Sequence, residues 1–412
     1  MSYFDTLIKV ACSAYIPSMS IKTEIVVAGT GPAGLMAALA LSQAGFAVAL
    51  VGPEVSRSDR RTTALMKPQL NFLDRLGVLA AIRTDAAPLK VMRIADGTQR
   101  LFRSPVVTFR AAEIGEEMFG LNMPNRHLVS VLDEQIGATP SIVRITGLVR
   151  SWALDGSTVR AELDDAHILH AKLAVAADGR NSRAREAAGI SLRSSSTGQS
   201  ALVLNFAHAR SHEETSTEFH TEHGPFTQVP LPGRRSSLVW VTRPERAAEL
   251  VDLDDAELSR LIEDRMQSML GRVEVETGRQ VFPLTSALPS RFAHNRVALV
   301  GEAAHVFPPI GAQGLNLSIR DIESLCTMAQ GHAADPGSPE ALASFDRARR
   351  PDILARSSAV NLLNRSLLSD LPTTQIARVA GLNLLRSVPS LRNLFMREGL
   401  RTGSGFGSFL RS

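Results

Sequence analysis

The sequence predicts an α/β protein in which a parallel, nucleotide-binding sheet carries an inserted antiparallel sheet and is followed by a helical region. Three observations predict it. Apolar runs at 25–28, 173–176 and 297–300 each lead through a glycine-bearing turn into a helix, the pattern of parallel strands covered on both faces. Between 200 and 242, strand-like runs at 201–206 and 236–241 alternate with segments rich in His, Glu, Pro and Gly, as antiparallel strands joined by turns do. Towards the C-terminus, apolar residues recur at helical spacing, among them Ile376, Val379, Leu384 and Val388.

Residues 1–20 hold one lysine, no long apolar core and no small-residue cleavage site, so no signal peptide is expected and they read as a disordered extension. Order is expected from Ile21. The first strand enters Gly29-Thr30-Gly31-Pro32-Ala33-Gly34, a GxGxxG fingerprint in a βαβ setting. Gly29 permits the tight turn, Gly31 lets a pyrophosphate approach, and Gly34 lets the helix pack on its strand while the helix N-terminus faces the phosphates. Pro32 suits the first turn of that helix and Gly45 its end. A second strand at 47–51 follows. Gly52 then stands where the fingerprint places a ribose-binding acid, with Glu54 two residues on.

The second apolar run ends in Asp178-Gly179, and the third in Gly301-Glu302. Asp-Gly alone is common turn punctuation. Glu302, however, falls just past the carboxyl end of its strand, where open α/β sheets place ligands, and a carboxylate there accepts hydroxyl hydrogen bonds from a sugar-like chain. Gly311 and Gly314 let backbone approach a ring system closely. The amides of Leu315 and Asn316, opening the next helix, offer donors to a developing negative charge. Such an arrangement suits a flavin.

In this order and at this separation, the three elements resemble the aromatic-hydroxylase group of flavoprotein monooxygenases, with the fold of p-hydroxybenzoate hydroxylase, and within it the ubiquinone-biosynthesis hydroxylases. Asp59 to Leu65 resembles that family's Asp-x-Arg-Thr-x-Ala-Leu segment, and Asn125-Arg126 its Asn-Arg pair. Glu218 to Phe226, with Pro230-Leu231-Pro232, is similar to its substrate-sheet signature, and Leu394 to Glu398 to its C-terminal helix. The likeness covers roughly residues 22 to 401.

The resemblance implies FAD, with Gly29, Gly31, Pro32, Ala33 and Gly34 at its pyrophosphate and Glu302 at its ribityl and pyrophosphate. Asp178 and Gly179 belong to the motif shared by flavin and nicotinamide binding. Arg61, Arg126, Pro309, Gln313, Gly314, Leu315 and Asn316 complete the implied cofactor site. NADH or NADPH is the implied co-substrate, bound transiently in a groove, since the chain has a single nucleotide fingerprint. The implied reaction hydroxylates the ring of a polyprenylated phenol in ubiquinone biosynthesis, with dioxygen captured as a flavin hydroperoxide. Three departures stand out: Gly52 replaces the ribose-binding acid, the family's Asp is Glu302, and its Gly-Gln-Gly is Ala312-Gln313-Gly314 with a glycine displaced to Gly311.

Convergence of the three turns on one sheet assembles a Rossmann-like, glutathione-reductase-type FAD domain from 21–80, 110–190 and 286–345. The substrate domain then comprises 81–109 and 191–285, and the C-terminal helical region 346–412. No catalytic residue is assigned; His305, in the flavin loop, is a candidate for proton relay, its plainer role being structural. His220 and His223 are similar candidates on the sheet, with surface or turn roles the plainer expectation for both. Both tyrosines, Tyr3 and Tyr15, lie in the extension, so no tyrosine relay to a phenol is expected.

Composition agrees with an ordinary soluble α/β chain: 412 residues, 21% charged and 44% hydrophobic. Cys12 and Cys326 are the only cysteines, which suggests neither a disulfide framework nor a metal site and fits a cytoplasmic setting. No transmembrane helix and no nucleic-acid partner are expected. The formal charge of +4 is uneven: from Phe345 onward 11 Arg face four acids, giving 11 − 4 = +7 and leaving −3 for the remainder. A basic, amphipathic tail can lie on anionic lipid, giving a peripheral place on the inner membrane, or can pack on the body or on a second subunit in a homo-oligomer or quinone-biosynthesis complex. Two other readings stand beside the hydroxylase: oxidation of another small aromatic, and a flavin-binding assembly protein. A halogenase is disfavoured, because Trp152 and Trp240 are far apart where a Trp-x-Trp-x-x-Pro segment is needed.

Overall fold

The computed structural model describes residues 20–56, 58–98, 104–309, 313–368 and 372–400. Most of the N-terminal extension, both tyrosines, Gly311, Ala312 and the glycine-rich segment 403–407 lie outside the described residues. A six-stranded sheet runs in the order Ala293–His294, Val297–Leu299, Leu173–Ala176, Ile25–Ala28, Val48–Gly52, Ile142–Thr146. Every pairing is parallel except that of the short Ala293–His294 strand. Its four central strands are wholly buried, which explains why, Gly52 apart, they consist of Val, Ile, Leu and Ala. The helices Pro32–Gln43 and Gln313–Gly331 pack against each other beside this sheet.

The inserted sheet is antiparallel over most of its width, with the order Val273–Val275, Leu192–His208, Arg235–Thr242, Gly224–Leu231, Thr215–Thr221, Val91–Asp96, Val107–Arg110. Gln280–Pro289 pairs with Leu192–His208, and Thr215–Thr221 with Val91–Asp96 in parallel. One face packs Leu202, Leu204, Phe206, Phe226, Leu238 and Trp240 against the helices Pro244–Asp252 and Asp255–Arg265. A short break at Leu253 and Asp254 separates these helices from each other. Leu253 turns extended, and Asp254 caps the second helix by accepting from the Glu257 amide at 2.7 Å.

Two small sheets were not anticipated. One joins Ser20–Lys22, Ile168–Ala171, Thr158–Leu163 and Val149–Asp155; the other joins Thr62–Met66, Gly120–Pro124 and Ala87–Leu89. The second matters for function, because it carries the chain from Arg61 to the foot of the inserted sheet. At the C-terminal end, Pro372–Ser387 and Pro389–Leu400 lay Leu382 and Met396 on Val107, Phe109 and Phe119. Among the described residues, no helix is long and apolar enough to cross a membrane, and no three His, Cys, Asp or Glu cluster for a metal.

Candidate cofactor and substrate site

Parallel pairing sets Ala28, Ala176 and Leu299 side by side, so the turns that follow open on one carboxyl-end crevice, the usual ligand position in such sheets. The turns touch. Gly29 has φ +117°, and a Cβ there would lie 2.2 Å from the Ala177 carbonyl oxygen, so only glycine fits. At Gly34 a Cβ would lie 1.9 Å from the Gly29 oxygen, which seats the helix Pro32–Gln43 directly on its turn. Gly31 is different: nothing lies within 4 Å of its absent side chain. Packing therefore explains Gly29 and Gly34, whereas open space above the helix N-terminus at Gly31 is what a pyrophosphate needs.

The absent ribose acid has a steric cause. A Cβ at Gly52 would meet Thr30 Cγ2 at 2.6 Å and the Thr30 nitrogen at 2.9 Å, while Thr30 Oγ1 donates to the Pro53 oxygen at 2.7 Å. An acid at 52 must first displace Thr30. Glu54 is exposed just beyond.

At the second turn, Asp178 Oδ2 accepts from the Arg183 and Ala184 amides at 2.9 and 3.3 Å. Its Oδ1 is buried with no partner among the described residues, so it is open to a hydroxyl donor. Arg185, only 4% exposed, donates to the Arg180 and Ala303 oxygens at 3.0 and 3.1 Å and so ties the Asp178 turn to the Glu302 turn. Reading the sequence gave Arg185 no role; an arginine two residues into a short helix carries no signal of such a bridge.

Glu302 is exposed in the turn Gly301–Ala303. The Arg61 guanidinium is held above its ordinary value first by its hydrogen bond to Asp59, with the Glu302 charge adding to it. That coupling brings Arg61 and Glu302 into one electrostatic field. Arg61 Nε and Nη2 donate to Asp59 Oδ1 and Oδ2 at 2.9 and 2.8 Å, and Asn125 Nδ2 donates to the same carboxylate at 3.0 Å. Asn125 thus positions Arg61 through Asp59, with half-buried Arg126 next to it in the chain.

The flavin-loop side is braced from two directions. Asn316 Oδ1 accepts from the Met66 amide at 2.9 Å, and its Nδ2 donates to the Ala64 oxygen at 2.8 Å. This clamps the helix starting at Gln313 to the strand that follows Arg61. Leu315 is half-buried, and Gly314 and Pro309 are exposed; the Gln313 side chain lies outside the described residues. His305 Nε2 lies 2.7 Å from Asp321 Oδ2, both side chains being 1% exposed. Asp321 Oδ1 accepts from Arg349 Nε at 2.8 Å, and Arg349 Nη1 donates to Asp352 at 3.0 Å. Burial works against the Arg349 charge, but Asp321 and Asp352 outweigh it and hold the guanidinium above its usual value. Enclosed in this chain, His305 anchors the loop through Nε2, and its buried Nδ1 has no partner among the described residues.

The inserted sheet turns its second face towards Arg61. Thr62 Oγ1 donates to Ser237 Oγ at 2.9 Å, Asn122 Nδ2 to the Pro230 oxygen at 2.8 Å, and the Arg61 guanidinium sits 5.4 Å over the Phe282 ring. His223 is exposed in the hairpin turn, whereas His220 is buried on the strand before it.

Comparison with known proteins agrees with this geometry. The FAD binding domain family matches residues 22–356. Ubiquinone hydroxylase UbiL of Rhodospirillum rubrum is 33% identical over 393 residues, covering 92% of this chain and 90% of that protein. The chain belongs to the FAD-binding monooxygenase family. FAD is accordingly its cofactor, and the open Gly31 cradle and the unpartnered Asp178 oxygen fit that group. Among other members of the family, 3-demethoxyubiquinol 3-hydroxylase of Escherichia coli is 28% identical over 372 residues, 87% of this chain and 94% of that protein. The crystal structure of p-nitrophenol 4-monooxygenase PnpA from Pseudomonas putida has the same fold, with a TM-score of 0.76 at 23% identity over 93% of this chain and 97% of that one.

Proposed function

We propose that this flavoenzyme hydroxylates the aromatic ring of a polyprenylated phenol in ubiquinone biosynthesis, using NAD(P)H and dioxygen. The near full-length likeness to a ubiquinone hydroxylase carries the reading. Bound FAD supplies the redox chemistry, accepting a hydride and activating dioxygen. The chain's own residues bind, orient and exclude water. Gly29 to Gly34 would hold the pyrophosphate, Asp178 and Glu302 the hydroxyl-bearing chain, and the Leu315 and Asn316 amides the developing negative charge. Arg61, Arg126, Pro309, Gln313 and Gly314 complete the cofactor site in this reading. The FAD-binding part comprises 21–80, 110–190 and 286–345, and 81–109 with 191–285 wall the substrate.

Leu384 and Phe395 on the C-terminal helices and Val388 between them are exposed, with Arg386 in the last turn of the first helix. We place this basic, apolar surface on anionic lipid of the inner membrane, from which a polyprenylated phenol is drawn. Anaerobic addition of NADH or NADPH to the FAD-loaded protein, with and without a prenylated phenol, tests the function. Bleaching of the flavin spectrum that the phenol accelerates, followed by oxygen insertion into the ring, is expected. Turnover of unprenylated aromatics alone would favour the other small-aromatic reading. A flavin that neither nicotinamide reduces would favour an assembly role.

A further inference from the structure

The sheet face that fronts Arg61 sets Ala201, Val203, Val239 and Val241 beside Thr227, Ser237 and one imidazole–carboxylate pair. Register sets Ile94, Glu218, Thr227, Val239 and Val203 in one row across five strands. The next row brings His220 beside Pro225, with Val241, Ala201 and Phe282 across the sheet. Phe282 is the ring under Arg61, and Ser237, paired with Val229, is the group that Thr62 reaches. Side chains two apart on a strand share a face, so Glu218 and His220 stand together on the wall that faces the cofactor side.

They form a pair. His220 Nε2 lies 2.9 Å from Glu218 Oε1, with side-chain exposures of 8% and 19%, and Thr227 Oγ1 donates to Glu218 Oε2 at 3.4 Å. An imidazole and a carboxylate this far buried are costly to desolvate unless paired or used. The pairing orients the ring: with Glu218 accepting a hydrogen bond from Nε2–H, the lone pair is left on Nδ1. Other charged groups near this face have their own partners. Asp96, beside His220 on the next strand, accepts from Thr98 and the Ser104 amide, and Arg61 is held by Asp59.

We propose that His220, oriented by Glu218, is the general base that removes the proton from the phenolic hydroxyl of the substrate. The inference rests on the phenol-hydroxylase reading above. The phenol O–H bond breaks, its electron pair stays on oxygen, and the proton passes to His220 Nδ1, giving a phenolate beside an imidazolium held by Glu218. The phenolate is the electron-rich ring that an electrophilic oxygen attacks. The proton returns to the product or to solvent on release. This supplies the deprotonation for which the chain has no tyrosine among its described residues.

A short-prenyl 4-nitrophenol, whose ionised form is coloured, tests the step on the FAD-loaded protein. Its ionisation is followed by absorbance across pH, free and bound, in wild type, His220→Gln and Glu218→Gln. Flavin content and thermal melting show that each variant is folded. Wild type is expected to lower the pKa of the bound phenol by about one unit or more. His220→Gln should bind the phenol but lose that shift, and slow single-turnover hydroxylation roughly 100-fold; Glu218→Gln should lose part of it. A folded His220→Gln that keeps the full shift overturns the proposal while leaving the phenol-hydroxylase reading intact. If His220→Gln does not fold, a Glu218→Gln variant with an unaltered shift overturns it equally. A wild-type protein that binds no phenol overturns both.

Discussion

Gly31 and Gly34 belong to one fingerprint, yet the structure assigns their two hydrogens to different partners, and paired alanine substitutions separate them. At Gly34 the added Cβ would sit 1.9 Å from a backbone oxygen, against a closest real approach of 3.0 Å, so helix and turn must part by 3.0 − 1.9 = 1.1 Å. Overpacking against rigid backbone costs roughly 1–3 kcal/mol. Gly34→Ala should therefore melt lower even without FAD. At Gly31 the backbone is extended at φ −73°, ψ 173°, and the new methyl meets nothing within 4 Å. Gly31→Ala should leave apoprotein melting unchanged or raise it slightly, since alanine restricts the unfolded chain. Its methyl occupies the pyrophosphate's approach, so FAD affinity should fall at least tenfold, about 1.4 kcal/mol. Scanning fluorimetry of the apoprotein and titration by flavin fluorescence quenching measure both. A Gly31→Ala protein that binds FAD as tightly as wild type would refute the assignment of this gap to the pyrophosphate.

Three further outcomes follow from the geometry. Asp321→Ala strands the buried His305 and Arg349, and should cost about 3–5 kcal/mol in urea unfolding; a loss below 1 kcal/mol would mean that Asp352 alone sustains Arg349. Burial opposes the Asp59 carboxylate, but hydrogen bonds from Arg61 and Asn125 outweigh it and hold its pKa below the ordinary 3.8. A lowered folded pKa gives stability that is complete above the unfolded value and lost as pH falls through the folded one. Asp59→Asn should consequently weaken FAD binding equally at pH 5 and pH 7, and a defect confined to pH 7 would contradict the pairing. Burial pushes the Cys326 thiol up to about 12, so the native protein should resist a disulfide thiol reagent at pH 8 at this residue until it is unfolded.

Most of the cofactor side was legible from local pattern. Gly29, Asp178 and Glu302 each follow an apolar strand, and three such strands have one economical arrangement, a shared parallel sheet. Less was legible where partners are distant in the chain. Nothing near Gly52 announces that Thr30 fills its space, and nothing near Arg185 points to Ala303. The Asn125-Arg126 pair was visible as a motif, but that Asn125 acts through Asp59 depends on a contact 66 residues away. His220 shows the limit most clearly. In a segment dense with His and Glu it looks like a turn residue, and its neighbour His223 is one.

By itself, the sequence determined the fold class, the order of the strand-turn-helix units and the chemistry of a flavin site, because each is written in residues a few positions apart: apolar runs, glycines, helix starts. Only the tertiary structure decided which glycine is fixed by packing and which faces open space, whether His305 is enclosed, and that Glu218 and His220 share a wall with Phe282. Those are questions of register and burial. They are settled when strands pair across the sheet, since a one-residue slip would send the same side chains to the opposite face.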